Sequence, residues 1–331
     1  MGEVDAKLDR YLSDSARYAD LINAYRFNGR QIVKPEDVKE KDTRLSGRSK
    51  RIQKKRKNQN EHQKVRDIVR KVVFGTGIAV IAFENQNLIH YAMPVRTLVE
   101  DALEYDKQLR EIQRGHRHNK DLKVPAEYIG QFSADDKIIP AATIVLYFGE
   151  DDWNGPRDLL DLMELEDLPE EIRQMINGYP LHSVEVRKFK DIDKFQTDLR
   201  EVFGIIQKSN NKKELLAYTN SHRERLENLD EEAYDVIASI TGNSILLDRK
   251  TEYQKGDGTM NLCKGMADWA ADERREGKLE GRLEGKSEIA QNAFSMGFDV
   301  EKVATLCGES LELIQTWFND WRNSVATAAH D

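Results

Sequence analysis

Two carboxylates and one amide in this chain are spaced as a cation site would require. Asp67 opens a β-rich stretch, residues 67–74, Glu84 ends a second, residues 78–84, and Gln86 follows two residues later. The turn Gly-Thr-Gly between the stretches predicts a β-hairpin, whose antiparallel strands bring the first residue of one beside the last residue of the other. Carboxylate oxygens with no thiol or imidazole nearby suit Mg²⁺ or Mn²⁺. Such an ion activates water for attack on a phosphodiester, so Asp67 and Glu84 are the predicted metal ligands and catalytic residues.

Gln86 is the third predicted catalytic residue. Side chains alternate along a strand, so Gln86 leaves the same face as Glu84. An amide can orient the attacking water but cannot act as its general base, because it has no usable pKa. The competing interpretation is a pair of ordinary surface acids, since Asp and Glu are common at strand ends. The apolar run IAVIAF, which stops abruptly at Glu84, favours the active site.

A basic segment precedes the hairpin. Residues 44–71 hold twelve Lys or Arg, although the whole chain has a net charge of −8. Such a segment can neutralise phosphates along a nucleic acid, and the competing interpretation is a solvated loop. Arg96, which begins the helix after the hairpin, either binds a phosphate through two hydrogen bonds or forms a surface ion pair. The predicted DNA-binding residues are Arg51, Lys54, Lys55, Arg56, Lys57 and Arg96.

Composition restricts where the chain can work. Its longest apolar run, GIAVIAF, is too short to cross a bilayer, and the first residues lack the pattern of a secretory signal. The two cysteines, Cys263 and Cys307, have neither a metal-ligand nor a disulfide spacing. We therefore expect a cytoplasmic protein with no membrane partner.

Hydrophobic periodicity predicts the elements that position the site. The pattern indicates helices at 5–26 and 94–113, strands at 141–148 and 183–189, and helices from about residue 193 onward. In the 94–113 helix the predicted core face carries Val95, Leu98, Val99, Ala102, Leu103, Leu109 and Ile112. This order predicts an α/β core with a mixed central sheet flanked by helices. We predict a first domain at 1–210, a helical connector at 211–260 and a helical C-terminal region at 261–331.

The C-terminal region contains a four-residue repeat and a helix pair. Gly277, Gly281 and Gly285 lie close to one face of a predicted helix, where each glycine costs about 1 kcal/mol. Close approach of a partner helix would explain them, which predicts a homo-oligomer formed through the C-terminal helices; a charged linker helix is the alternative. The pair that follows resembles a helix-turn-helix, but residues 309–318 contain no Lys or Arg, which favours packing over DNA reading.

Several stretches together resemble the Rpn family, the recombination-promoting nucleases and transposase-like proteins of the PD-(D/E)XK superfamily. They are IAFENQNLIHYAMPVRTLVEDALEYDKQ, TIVLYFGEDDWNGPRDLLDLM, VRKFKDIDKFQTDLREVFGIIQ and EGKLEGRLEGK, followed by AFSMGFDVEKVATLCGESLELIQTWF. The resemblance implies a restriction-endonuclease-like core, DNA hydrolysis and a divalent metal. It carries the family's aspartate onto Asp67, its glutamate onto Glu84 and its glutamine onto Gln86. The basic segment before Asp67 departs from the family, and it leaves Asp42 as a rival for the aspartate.

The sequence thus predicts a metal-dependent DNA endonuclease that acts in recombination, mobile-element biology or defence. The alternative is a catalytically inactive nucleic-acid-binding protein that kept a nuclease scaffold. The presence of both Asp67 and Glu84 favours the enzyme.

Overall fold

A computed structural model describes residues 3–41, 44–46, 63–65 and 68–328. The chain forms two compact units, Met1–Cys263 and Lys264–Asp331. The helices between residues 211 and 260 belong to the first of these units, where the first helix of the chain packs against one of them.

A five-stranded mixed sheet forms the centre of the first unit. The order is β1-β4-β5-β6-β7: β1, β4 and β5 pair antiparallel, and β5, β6 and β7 pair parallel. A separate two-stranded sheet pairs β2 with β3. The sequence predicts a mixed central sheet flanked by helices, and the structure has this α/β arrangement. The strands are β1 (Val38–Glu40), β2 (Arg44–Ser46), β3 (Gln63–Val65), β4 (Ile68–Phe74), β5 (Gly77–Gln86), β6 (Ala141–Tyr147) and β7 (His182–Glu185).

The β4–β5 hairpin is confirmed. Ile68 pairs with Phe83 at its open end and Phe74 with Gly77 at its turn, where Gly75 has a φ of 61°. β5 lies between β4 and β6, and Val80, Ala82 and Phe83 are fully buried. The central apolar strand β5 therefore places Glu84 at one end of the sheet.

Fourteen α-helices lie in the described ranges. They are α1 (Glu3–Leu12), α2 (Ser15–Phe27), α3 (Met93–Asn119), α4 (Pro125–Gly130), α5 (Glu170–Arg173), α6 (Leu199–Lys208), α7 (Lys212–Ser221), α8 (Arg223–Leu226), α9 (Glu231–Ile240), α10 (Ser244–Asp248), α11 (Lys250–Tyr253), α12 (Leu262–Ser295), α13 (Val300–Cys307) and α14 (Leu311–Ala328). Short 3₁₀ turns connect several of them.

The helix predicted at 5–26 is two helices, α1 and α2. Asp14 separates them because its carboxylate accepts hydrogen bonds from the backbone amides of Ala16 and Arg17, both at 3.0 Å. This is an N-cap, which begins a new helix and satisfies amides that have no partner within it. The apolar periodicity runs through the break, so the pattern did not reveal it.

The predicted core face of α3 is wrong. Val95 and Val99 are 40% and 39% exposed, whereas Glu100 and Glu104 on the opposite side are 2% and 0% exposed. A helix turns by about 100° per residue, which places these two sets on opposite faces. The polar face is buried because its carboxylates find partners there, namely Arg96, Lys41 and Thr143, as described below.

The C-terminal unit has its own small core. Ala290, Phe294, Val303, Cys307 and Ile314 are buried together, and aromatic side chains of α14 pack against them. The α13–α14 pair thus packs as a structural unit. A Cβ added at Gly277, Gly281 or Gly285 would meet no atom of the described chain within 4 Å. No partner helix of this chain approaches the repeat in the part described, so oligomerisation stays a prediction.

Within the described ranges, no helix has both the length and the apolar character needed to cross a bilayer.

Candidate functional site

The candidate site is built around Glu84 at the end of β5. The Glu84 side chain is 1% exposed, and its Oε1 forms an ion pair with Nη2 of Arg96 from the first turn of α3. Nε of Arg96 also donates to Oε1 of Glu100 at 3.2 Å. Gln86 projects from the same face, with its Nε2 at 3.5 Å from Oε1 of Glu84. One guanidinium therefore bridges a carboxylate of the sheet and a carboxylate of the helix, with an amide beside them.

The buried polar stripe continues along α3. Glu104 lies one turn after Glu100, and its Oε1 accepts from Nζ of Lys41 at 2.5 Å and from Nε2 of Gln108 at 2.9 Å. The Glu104 side chain is 1% exposed and that of Lys41 is 9% exposed. The amide of Gln108 in turn bonds both backbone groups of Ile139. Buried polar groups are stable only when they are hydrogen-bonded. The bonds of Glu104 and Gln108 meet this requirement, and they hold α3 in place against the sheet.

Asp101 holds the same helix to β6. The carboxylate is 1% exposed and accepts hydrogen bonds from the amide of Thr143 at 3.2 Å, from the Thr143 hydroxyl at 2.8 Å and from the Tyr179 hydroxyl. This contact sets the distance between α3 and the sheet. Arg96 and Glu100 are thereby positioned opposite Glu84.

The other face of the β5 end is used differently. Nδ2 of Asn85 donates to Oδ1 of Asp9 at 2.8 Å, and Nδ2 of Asn87 donates to Oδ1 of Asp5 at 3.3 Å. The alternation of a strand therefore divides Glu-Asn-Gln: Glu84 and Gln86 face α3, and Asn85 faces α1. The amides of this segment have two tasks, one at the candidate site and one in holding α1 to the sheet.

An aromatic wall lies next to Gln86. Tyr147 is its partner in the neighbouring strand, and the Tyr147 ring meets Trp153 edge-on at 5.2 Å. Burial raises the pKa of the Tyr147 phenol above its usual value, and the carboxylates of Asp151 and Glu185 add to this shift. The Tyr147 hydroxyl is thus neutral near pH 7 and is not a base for the site.

Part of the predicted site falls outside the described residues. Asp67 and its rival Asp42 are among these, as are the predicted DNA-binding residues Arg51, Lys54, Lys55, Arg56 and Lys57. Of the predicted site residues, the structure brings together Glu84, Gln86 and Arg96. Arg96 lies in a half-buried double ion pair, with its side chain 32% exposed.

The sequence interpretation missed Glu100, Glu104 and Lys41. A usable signal was present, because Arg96, Glu100 and Glu104 recur every four residues and so share one helix face. The apolar periodicity instead indicated the other face of the helix as the core, and a row of polar side chains opposite an apolar face is typical of a solvent-exposed surface. Lys41 gave no signal, since it reaches Glu104 only through the folded chain.

The donor chemistry at Glu84 suits a hard cation. The carboxylates of Glu84 and Glu100 contact Arg96, the Gln86 amide lies beside Glu84, and no sulfur or imidazole is among these groups. Among the residues that the structure describes, no three His, Cys, Asp or Glu are grouped so as to hold a metal ion. Glu84 and Glu100 share the single positive charge of Arg96, so a metal ion would compete with its guanidinium for Glu84.

Comparison with known proteins found no family model, no curated protein and no solved structure that matches this chain. Membership of the Rpn family therefore stays a prediction from the stretches quoted above.

Proposed function

We propose that this chain is a divalent-metal-dependent DNA endonuclease with a PD-(D/E)XK core, acting in recombination, mobile-element biology or defence. The observation that carries the proposal is the buried Glu84 carboxylate at the end of the central strand, with Gln86 beside it on the same face. Burying a carboxylate is unfavourable unless the carboxylate has a charged or hydrogen-bonding partner. Buried carboxylates are therefore often found at functional sites. The resemblance of the sequence supports the same assignment.

The chain's own residues have separate tasks in this proposal. Glu84, with Asp67 from the sequence prediction, would hold Mg²⁺ or Mn²⁺, which lowers the pKa of a water and offsets charge on the phosphate. Gln86 would orient that water through its amide. Arg96 already contacts Glu100 at 3.2 Å, so its guanidinium keeps a partner when Glu84 binds a cation. From there it can donate two hydrogen bonds to a DNA phosphate.

The first prediction concerns the metal. The purified chain is expected to nick and linearise supercoiled plasmid with Mg²⁺ or Mn²⁺ and to leave it intact in excess EDTA, because the reaction depends on the cation. Plasmid forms are measured on agarose gels over time. Restoring Mg²⁺ after EDTA should restore cutting. Cutting that continues at full rate in EDTA would contradict the metal mechanism.

The second prediction concerns the basic segment. Replacing Lys54, Lys55, Arg56 and Lys57 by Ala is expected to weaken binding to all DNA sequences alike. The number of counterions released on binding should fall by up to about four, since each phosphate contact releases roughly one. Fluorescence anisotropy of labelled duplexes at several salt concentrations measures the slope.

A matched control for the segment lies on α7. Lys212 and Lys213 are exposed cations, and their replacement by Ala should leave the salt slope as it is. An equal slope for the quadruple variant and the unaltered chain would show that the segment does not contact DNA phosphates.

The same two assays distinguish the proposed endonuclease from the alternative, an inactive DNA-binding protein on the same scaffold. It would bind DNA with the salt dependence described, yet leave plasmid intact under every metal condition.

A further inference from the structure

A cavity opens between α2 and the sheet, on the face opposite Glu84. Its volume is about 360 Å³. From β5 it is lined by Ala79 and Ile81, which alternate with Val80, Ala82 and Glu84 and so point away from the candidate site. The cavity therefore belongs to a different surface from the proposed nuclease site.

The cavity walls are apolar. Ile22 and Phe27 line it from α2, and Phe74, Ile81 and Ile144 line it from β4, β5 and β6. The rings of Phe27 and Phe74 lie 6.2 Å apart at one end. Small-molecule sites of about 300–1,000 Å³ typically have such walls, with a few polar groups that fix orientation.

The space exists because small residues lie on the sheet side. Ala79 on β5 and Ala142 on β6 both line the cavity, where a larger side chain at either position would occupy it. Cores otherwise pack closely with few voids larger than a water molecule. An apolar opening of this size therefore indicates room for a ligand.

Two basic side chains mark one side of the opening. Arg26 is exposed on the last turn of α2, and His182 begins β7. Among the residues that the structure describes, no carboxylate forms an ion pair with Arg26, whose guanidinium lies 5.5 Å from the Tyr25 ring centroid. Burial and the charge of Arg26 lower the pKa of His182, while Asp101 opposes the shift. Arg26 therefore supplies a positive charge at the opening, and the His182 imidazole is a neutral hydrogen-bonding group near pH 7.

We propose that this cavity binds a small amphiphilic anion, with an apolar tail inside and a carboxylate at Arg26 and His182. At roughly 30 Å³ for each water-sized group, the volume accommodates about twelve non-hydrogen atoms. A linear ten-carbon carboxylate has this size. Its charge complements Arg26, and its tail meets only apolar walls.

Calorimetric titration with decanoate, below its micelle concentration, tests the proposal. The full chain is expected to bind one decanoate saturably, and decanol, which lacks the charge, about fivefold more weakly, in line with a solvent-exposed charge pair. Arg26→Gln should weaken decanoate binding by about the same factor and leave decanol binding unchanged. Arg30→Gln, an exposed arginine nearby that does not line the cavity, should bind decanoate normally.

Ala142→Phe places a ring in the cavity and is expected to abolish binding of both compounds. Its thermal unfolding is measured alongside, and Arg26→Gln provides a second test that leaves the walls intact. Three results would overturn the proposal: no saturable binding of decanoate, equal binding of decanoate and decanol, or undiminished binding by a folded Ala142→Phe variant. Plasmid cleavage does not enter the test, so its outcome is independent of the proposed nuclease.

Discussion

Replacing Glu84 by Ala is expected to abolish DNA cleavage while DNA binding persists. The carboxylate would help to hold the metal ion, and loss of several kcal/mol of transition-state stabilisation corresponds to about a thousandfold or more in rate. Affinity for DNA comes mainly from Lys and Arg contacts to phosphates, which this change leaves in place. Cleavage rate and binding affinity are measured for the same preparation. Asp67→Ala should give the same pair of results.

Several variants keep this prediction specific. Glu84→Gln preserves the shape of the buried side chain without its charge, so a folded but inactive E84Q protein separates catalysis from packing. Glu111→Ala, an exposed acid on α3, should cut normally, as should Asp42→Ala. An inactive Asp42→Ala beside an active Asp67→Ala would move the aspartate to Asp42. If Asp67→Ala and Glu84→Ala both cut like the unaltered chain, the proposed site does not exist.

Replacing Asp101 by Ala is expected to lower the free energy of unfolding by about 3 kcal/mol, because buried donors lose a charged acceptor. Asp101 is 1% exposed and accepts hydrogen bonds from the amide and hydroxyl of Thr143. The Tyr179 hydroxyl loses its bond to Asp101 as well. A loss of this size is large against the roughly 5–15 kcal/mol that stabilises a typical protein. Urea unfolding followed by tryptophan fluorescence measures it.

Asp106 supplies the matched control on the same helix. Its side chain is 40% exposed and pairs with Arg110 one turn away, so Asp106→Ala should change the free energy of unfolding by less than about 1 kcal/mol. Thr143→Val combined with Asp101→Ala should cost less than the sum of the single changes, because the two residues share hydrogen bonds. If Asp101→Ala unfolds at the same urea concentration as Asp106→Ala, Asp101 does not hold α3 to the sheet.

The sequence by itself determined the hairpin and its strand end. IAVIAF is a continuous apolar run after a glycine turn, a pattern that predicts a buried strand, and it forms β5. Strand alternation then put Glu84 and Gln86 on one face without any tertiary information. The long helix after them and the helical C-terminal unit also followed from periodicity and from the turn at Gly308.

Only the tertiary structure decided which side of α3 faces the sheet. Periodicity locates an apolar face, but a buried face can be polar where each group finds a partner, and those partners come from distant parts of the chain. Lys41 reaches Glu104 from 63 residues away and Thr143 reaches Asp101 from 42. Arg96 could be seen as an arginine near the site, and Glu100 lies one turn away on the same helix, but the ion pair with Glu84 depends on how α3 docks against β5. The local sequence thus determines that β5 presents Glu84 at its end. The ion pair that stabilises this carboxylate once it is buried depends on the tertiary structure, which brings Arg96 of α3 to it.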